Sequence, residues 1–211
     1  MSSRNEILMS VRLNLPLVDR PLPVVPLFDD NPPASLLAAF KQNLVRMGGM
    51  VLDAPEPGDP LEPVRAKLAD ARVVCSTVPE ITGNRHIADA TQPWDLEDVD
   101  VAVVRAAFSV AETGSVLLQD EDLSVNAVAY LAQHLIVLLD PADIVVNLHH
   151  AYRRPEFRQT HYASFHTGPS ATADIEGVLI HGAQGVRSLS VAFVARAAVS
   201  PIRSSSGTVD G

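Results

Sequence analysis

The sequence predicts an α/β protein built on a mostly parallel β-sheet. Amphipathic helices alternate with short apolar strands over residues 35–75, and a helix is the usual connection between parallel strands. The strongest strand signal is the apolar run His134–Leu139, which is bounded by Asp140 and Pro141. The 211 residues are 47% hydrophobic and 19% charged, which fits one large domain with a sizeable core.

The first 34 residues predict a helix and a proline-rich arm. Ser3 and Glu6 have the spacing of a capping box, and Pro16 ends the helix. The apolar positions on one face of that helix are Ile7, Leu8, Val11 and Leu15. Prolines at 16, 21, 23, 26, 32 and 33 exclude a regular hydrogen-bond ladder, so we expect an extended arm laid over, or leading to, the main body.

The main domain is expected at 35–199. Ser35 is a candidate N-cap of a helix, and Gly48 with Gly49 could end the same helix in a left-handed backbone conformation. The apolar pattern then predicts a strand at 50–52, a helix around 61–68 and strands at 72–75, 101–104, 115–118, 134–139 and 189–194. Between them we expect a solvated turn or helix at 95–100, a crossing segment at 106–110, a charged turn at 120–122 and a helix from Pro141 to about Tyr152. The tail at 200–211 is expected to be frayed.

Charge and cysteine content exclude several classes of function. Sixteen Lys and Arg against 25 Asp and Glu give a net charge of −9, so we expect no nucleic-acid binding. The single cysteine, Cys75, excludes an intramolecular disulfide and a four-cysteine metal or iron–sulfur site within this chain. No secretory signal or membrane-length apolar stretch is seen, so we expect a cytoplasmic protein that is not associated with a membrane.

The first candidate site is the loop Ala111-Glu112-Thr113-Gly114-Ser115, just before a predicted strand. Gly114 permits a positive φ or a close backbone approach, and Glu112 would lie at a sheet edge where ligands enter α/β proteins. The alternative is an ordinary turn with its glutamate in water.

The second candidate is the segment 166–177, where a Gly-Pro turn precedes Ser and Thr hydroxyls. Gly168, Ser170 and Thr172 could hold a phosphate or carboxylate, or Ser170 or Thr172 could cap a helix whose first turn contains Asp174 and Glu176. The segment has neither the lysine of a P-loop nor a GxGxxG pattern.

Histidines and arginines cluster nearby without the spacing of a known site. His149, His150, His161 and His166 contain no HExxH pattern, and adjacent helical residues diverge by about 100 degrees, so no metal is expected. Arg153, Arg154 and Arg158 form a local basic patch that could steer an acidic ligand, although a solvated helix end explains it as well. Cys75 is expected to pack in the core.

Taken together, the two candidate segments resemble the LUD-domain family, of the lactate-utilization protein C type. The similar residues are 111–115, Gly168-Pro169-Ser170, Thr172 to Glu176, Gly182-Ala183, Gly185 and Arg187-Ser188-Leu189. Three positions depart from the family pattern: Ala171 replaces Arg or Lys, Gln184 replaces His, and Val186 replaces Pro. If the missing cation contacts an anion in the family, this chain binds a different ligand or binds it less tightly.

The resemblance implies a three-layer α/β sandwich similar to NagB, RpiA and CoA transferases. It also implies a non-redox subunit that works beside iron–sulfur and oxidoreductase subunits in the oxidation of L-lactate to pyruvate, with the clusters held by those partners. The resemblance does not define the oligomeric state, and a homo-oligomer is compatible with it. Our first hypothesis is a small anionic ligand bound by Thr113, Gly114, Gly168, Ser170, Thr172, Gly182 and Gln184, with Asp174 and Glu176 bracing the site. The alternatives are a stand-alone sugar-phosphate isomerase or CoA transferase that uses Glu112 as base or nucleophile, and a structural adaptor.

Overall fold

A computed structural model describes residues 3–15, 21–90, 92–173, 179–182 and 184–196. The helices of this part of the chain are α1 (Ser3–Leu13), α2 (Leu36–Arg46), α3 (Glu62–Leu68), α4 (Asp120–Leu123), α5 (Val128–Leu131), α6 (Leu148–Ala151) and α7 (Pro155–Gln159). The strands are β1 (Met50–Leu52), β2 (Val74–Ser76), β3 (Val101–Arg105), β4 (Phe108–Val110), β5 (Ser115–Gln119), β6 (His134–Leu139), β7 (Ile144–Val145), β8 (Ala163–His166), β9 (Ala171–Ala173), β10 (Leu179–His181) and β11 (Ser188–Phe193).

Five parallel strands form the main sheet, in the order β1-β11-β6-β3-β2. The central strand β6 is buried on both faces: Leu135 and Val137 belong to one apolar cluster, and Ile136 and Leu138 to another. A parallel strand covered on both faces reads as a continuous apolar run, which is why His134–Leu139 was recognisable from the sequence. The predicted α/β fold with a mostly parallel sheet is confirmed.

A second, mixed sheet has the order β7-β4-β5-β8. Its strands β4, β5 and β8 are antiparallel neighbours, and β7 runs parallel to β4. Side chains of α2, the main sheet and β5 share one core cluster, in which Phe40, Leu44 and Val116 are fully buried. On the other face of the mixed sheet, Phe108 and Leu117 pack with residues of α6 and α7. Strands β9 and β10 form a separate antiparallel hairpin.

Local signals set the ends of α2 as expected. The Ser35 hydroxyl accepts a hydrogen bond from the backbone N–H of Ala38 at 3.2 Å, which satisfies one of the free donors of the first turn. Gly48 has a φ of 84°, the left-handed conformation that ends a helix at low cost to glycine. Both predictions are confirmed.

The proline-rich arm contacts the main body through backbone carbonyls and through the side chains of Phe28 and Asp29. Asn147, which is 4% exposed, donates from Nδ2 to the carbonyls of Leu27 and Phe28 at 2.7 and 3.2 Å. His150 Nε2 lies 2.9 Å from Asp29 Oδ2, within hydrogen-bond distance, and the Phe28 ring lies 4.8 Å from that of His149. Of the two arrangements expected for the arm, laid over the main body or leading to it, the structure shows the first for 25–29, where Arg153 also donates to the Val25 carbonyl. Helix α1 has no buried residue.

Three segments differ from the sequence prediction. The helix expected from Pro141 to about Tyr152 is wrong: a single 3₁₀ turn ends at Asp143, Ile144–Val145 pairs with β4 as a strand, and Tyr152 is 49% exposed. The crossing segment at 106–110 contains strand β4, and the charged turn at 120–122 is the start of α4. For Ile144–Val145, pairing with the distant strand β4 overrides the local helix signal. The tail at 200–211 lies outside the described residues.

Within the described ranges, no helix has both the length and the apolarity required to cross a bilayer.

Candidate functional site

The two candidate segments meet at adjacent ends of β5 and β8. Val116 and His166 are register partners, so the residues that precede one and follow the other lie side by side. The Ser115 hydroxyl is 2.7 Å from the Thr113 hydroxyl and 2.5 Å from the Thr167 hydroxyl. Three hydroxyls from distant parts of the sequence thus form one hydrogen-bonded row, in which Ser115 is buried and the other two are half-buried.

Gly114 and Gly168 border this row but face helix α2. Their φ angles are +69° and +76°, and a Cβ on Gly114 would lie 2.3 Å from the backbone nitrogen of Leu44. A Cβ on Gly168 would lie 2.3 Å from the carbonyl oxygen of Met47. The close approach that the sequence predicted at Gly114 is therefore made to the C-terminal half of α2. Any ligand would have to contact these glycines from another side.

Glu112 lies on the opposite side of the β4–β5 connection from Thr167. Its backbone N–H donates to the carbonyl of Val146, and its Oε2 accepts a hydrogen bond from the N–H of Leu148 at 3.2 Å. Leu148 is the first residue of α6, so the carboxylate interacts with the free donors at that helix end. The Glu112 side chain is exposed.

Ser170 connects the second candidate segment to residues 182 and 184–187, which belong to the family resemblance and are called the closing loop below. Its N–H donates to Val186 O at 2.9 Å, its carbonyl accepts from Gly182 N at 2.6 Å, and its hydroxyl donates to Gln184 O at 3.3 Å. Gly185 passes so close that a Cβ there would lie 3.0 Å from the Ser170 Cβ. The Ser170 hydroxyl therefore braces the loop, and it would reach a ligand only by exchanging this bond.

A cleft of about 410 Å³ opens beside the closing loop. The residues that line it are Tyr130, Leu131, Gln133, Gly182, Gln184, Gly185 and Arg187. Two of these, Gly182 and Gln184, were predicted to bind the ligand. The cleft is fixed to the main sheet because the N–H of Arg187 donates to the carbonyl of Gln133 at 2.7 Å. Its lining contains one cation, two amides and a phenol, and no carboxylate among the described residues.

His166 lies under one wall of the cleft. Its ring centroid is 5.2 Å from that of Tyr130, whose hydroxyl is hydrogen-bonded to that of Tyr162. Burial lowers the pKa of His166 to about 4, so the imidazole is neutral at pH 7, and its Nε2 has no partner among the described residues. Burial, with the neighbouring Tyr130 hydroxyl as the second cause, raises the pKa of Tyr162 to about 12.

The remaining predicted residues lie apart from the cleft or outside the described part of the chain. Thr172 is exposed in β9 opposite Ile180, and it does not line the cleft. Asp174 and Glu176 fall outside the described residues. Of the three departures from the family pattern, Gln184 lines the cleft, Val186 is 5% exposed and packs in the core, and Ala171 is a β9 residue paired with position 181.

Five of the seven cleft residues were not predicted as ligand contacts, and three of these five have polar side chains, namely Tyr130, Gln133 and Arg187. Tyr130 and Gln133 come from α5 and from the residue before β6, and neither belongs to a motif. Arg187 belongs to a segment that resembles the family, so its positive charge could have identified it as a contact for an anionic ligand. The described residues contain no group of three or more His, Cys, Asp or Glu that could hold a metal. Cys75 is fully buried, as expected, and burial raises the pKa of its thiol.

Comparison with known proteins supports the family resemblance over this region. Residues 94–194 match the family model of the LUD domain, and they include the hydroxyl row, Ser170 and the closing loop. Among solved structures, the chain is similar to a DUF162 family protein from Deinococcus radiodurans, with a TM-score of 0.54 and 15% identity over 74% of this chain and 94% of that one. A likeness at this identity shows the fold. No curated protein matches the sequence.

Proposed function

We propose, from the LUD-domain match over residues 94–194, that this chain binds a small anionic ligand in the cleft beside Arg187 and serves as a non-redox subunit of a lactate-utilization system. The observation that carries the proposal is the charge of the cleft. The whole chain has 25 acidic and 16 basic residues, yet this cleft is lined by a cation and no described carboxylate. A carboxylate ligand would find an attractive potential there in an otherwise acidic protein.

The lining also offers the hydrogen bonds that a small 2-hydroxy or 2-oxo acid requires. The Arg187 guanidinium presents paired donors that match a carboxylate, and it has no ion-pair partner among the described residues. The amides of Gln133 and Gln184 can donate to or accept from the neighbouring hydroxyl or carbonyl group. Arg187 thereby supplies a cation in a chain that lacks the cation usual at position 171.

Oxidation of lactate requires an electron acceptor, which we propose resides on partner subunits. The only cysteine, Cys75, is buried in the core and cannot by itself hold an iron–sulfur cluster. The role of this chain would be to bind and orient the anion while an iron–sulfur protein and an oxidoreductase subunit carry the electrons.

Calorimetric titration of the purified chain with L-lactate and pyruvate tests the anion site. We expect Arg187→Gln to weaken binding about tenfold or more, because a charge-assisted contact is lost. Arg158→Gln is the matched control, since it removes the same charge from an exposed position on α7 outside the cleft. Equal affinities of the Arg187→Gln variant and the parent chain would refute the anion site.

Glu112→Gln is a second control in the same assay. The Glu112 side chain does not line the cleft, so we expect the affinity for either anion to be unchanged. Co-purification of the tagged chain with an iron–sulfur protein tests the subunit role separately from the anion site.

A further inference from the structure

A second, larger cavity lies at the opposite end of the main sheet from the strand carboxyl termini. Its volume is about 610 Å³, and it is formed where β1, β3, β6 and β11 begin. The residues that line it are Met50, Lys67, Asp70, Ala71, Arg72, Asp100, Val101, Gln133, His134, Arg187 and Ser188. It shares Gln133 and Arg187 with the cleft described above, so the two spaces are neighbours.

Lys67 is a half-buried cation without a counter-ion in the part of the chain that the structure describes. Its ammonium lies 4.0 Å from the thioether sulfur of Met50, and no carboxylate is within ion-pair distance among those residues. On the same helix, Arg65 is paired with Asp59. A partly desolvated ammonium that is left unpaired favours an anion from solution. Arg187 brings a second unpaired cation to the same cavity.

Asp100, one of the two carboxylates that line the cavity, is already engaged. Asp100 Oδ2 accepts hydrogen bonds from the N–H groups of Val73 and Arg72 at 3.0 and 2.9 Å, and it lies 3.9 Å from the Nε of Arg72. These backbone hydrogen bonds lower the pKa of Asp100, with the Arg72 charge as a smaller cause. Two backbone donors and the exposed Arg72 guanidinium thus stabilise the Asp100 carboxylate. Asp70 is exposed at the rim.

His134 and Ser188 add polar side chains to the floor of the cavity. They are register partners on β6 and β11, and His134 Nδ1 is 2.8 Å from the Ser188 hydroxyl. Because Nδ1 is occupied, Nε2 is the ring nitrogen available to a ligand, and it has no hydrogen-bond partner among the described residues. Met50 and Val101 form an apolar surface beside these polar groups.

We infer that this cavity binds the phosphate groups of a nucleotide-sized ligand. Lys67 and Arg187 contact the phosphate oxygens, His134 donates to one of them, and the apolar surface of Met50 and Val101 receives the uncharged part of the molecule. The volume is within the range of about 300–1,000 Å³ that holds small ligands. The inference shares only Arg187 and Gln133 with the proposed function, and Lys67 belongs to this cavity alone.

Titration calorimetry with ADP, pyrophosphate and inorganic phosphate at constant ionic strength tests the inference. We expect ADP and pyrophosphate to bind in a saturable manner, and Lys67→Gln to weaken ADP binding about tenfold. Arg65→Gln removes the same charge from the same helix outside the cavity, and it should leave the affinity unchanged. Lys67→Arg keeps the cation and should retain most of the affinity, which controls for a folding defect.

L-Lactate and pyruvate are titrated into the same variants, so that the two proposals can fail separately. Lys67→Gln should not alter their binding, whereas Arg187→Gln should weaken the binding of both ligand classes. Absence of saturable ADP and pyrophosphate binding overturns this inference even if lactate binds. Equal losses in Lys67→Gln and Arg65→Gln also overturn it, because they indicate non-specific electrostatics. Binding of ADP without lactate or pyruvate supports the cavity and contradicts the proposed function.

Discussion

Replacement of Gly114 by alanine tests whether this glycine serves the packing of α2 or the approach of a ligand. The added Cβ would lie 2.3 Å from Leu44 N and 2.6 Å from Asn43 C, which are backbone atoms in the interior of a helix. They cannot move without displacing α2, whose Phe40 and Leu44 are fully buried. The same strain would reach the hydrogen bond at 2.7 Å from Asn43 Nδ2 to the carbonyl of Ala111.

The magnitude follows from two contributions to the free energy of unfolding. A non-glycine residue at a φ of +69° costs about 1–3 kcal/mol. Insertion of a methyl group into a packed contact costs about 1–3 kcal/mol more. We therefore expect Gly114→Ala to lower the free energy of unfolding by about 2–6 kcal/mol, the low end applying if α2 shifts to relieve the contact.

Urea denaturation at pH 7, followed by circular dichroism, measures this loss against a matched control. Gly182 has a φ of +73°, but a Cβ there would meet Cα and Cγ of Arg187 at 3.0 Å, so Gly182→Ala should show chiefly the backbone contribution. If Gly114→Ala is no more destabilising than Gly182→Ala, the contact with α2 is not made as described. If it remains stable but loses affinity for pyruvate, Gly114 faces a ligand.

Three further predictions concern buried polar groups. The pKa of His166 is about 4 in the folded chain and near 6.5 in the unfolded chain. Acidification from pH 6.5 to 4 therefore protonates the unfolded state first and lowers the free energy of unfolding by about 3 kcal/mol. His166→Phe should abolish this loss, as measured by urea titrations at several pH values. Burial raises the pKa of Asp122 from 3.8 to about 6, so its ionised form destabilises the folded chain at pH 7, and acidification from about pH 6 towards pH 4 should increase stability. Asp122→Asn should raise the free energy of unfolding at pH 7 by about 1–2 kcal/mol. An unchanged urea midpoint would contradict this. Asn147→Ala removes the donor to the carbonyls of Leu27 and Phe28, and it should lower the free energy of unfolding by about 1–3 kcal/mol. The arm should then be cleaved faster in limited proteolysis. A digestion rate equal to that of the parent chain would contradict docking of the arm.

The sequence allowed the main sheet to be predicted because its strands are continuous apolar runs with polar ends. His134–Leu139 and the region of β11 needed no knowledge of their partners. Strand β7 could not be predicted in this way. Pro141 is a good helix-starting residue, but Ile144–Val145 forms its hydrogen bonds with β4, more than thirty residues earlier. Pairing with so distant a segment leaves no periodic trace in two residues.

The candidate site was predictable only where its residues form a local pattern. The Gly-Pro turn and the Glu-Thr-Gly loop were recognisable, and the row of Thr113, Ser115 and Thr167 hydroxyls brings them together. The lining of the cleft was not, because Tyr130 and Gln133 are ordinary residues that reach it through the order of strands in the main sheet. The role of Gly114 was also ambiguous in the sequence, because glycine is required both where the backbone approaches a ligand closely and where it approaches a helix closely.

The bonds of Ser170 have a consequence for how related chains can diverge. The Ser170 carbonyl accepts a hydrogen bond from Gly182 N–H, so the residue before β9 and the residue after β10 are in contact. The β9–β10 hairpin therefore begins and ends at neighbouring positions. Residues can be inserted or deleted between positions 171 and 181 while the positions of Gln184 and Arg187 stay the same. We expect homologues to vary most in length at this hairpin.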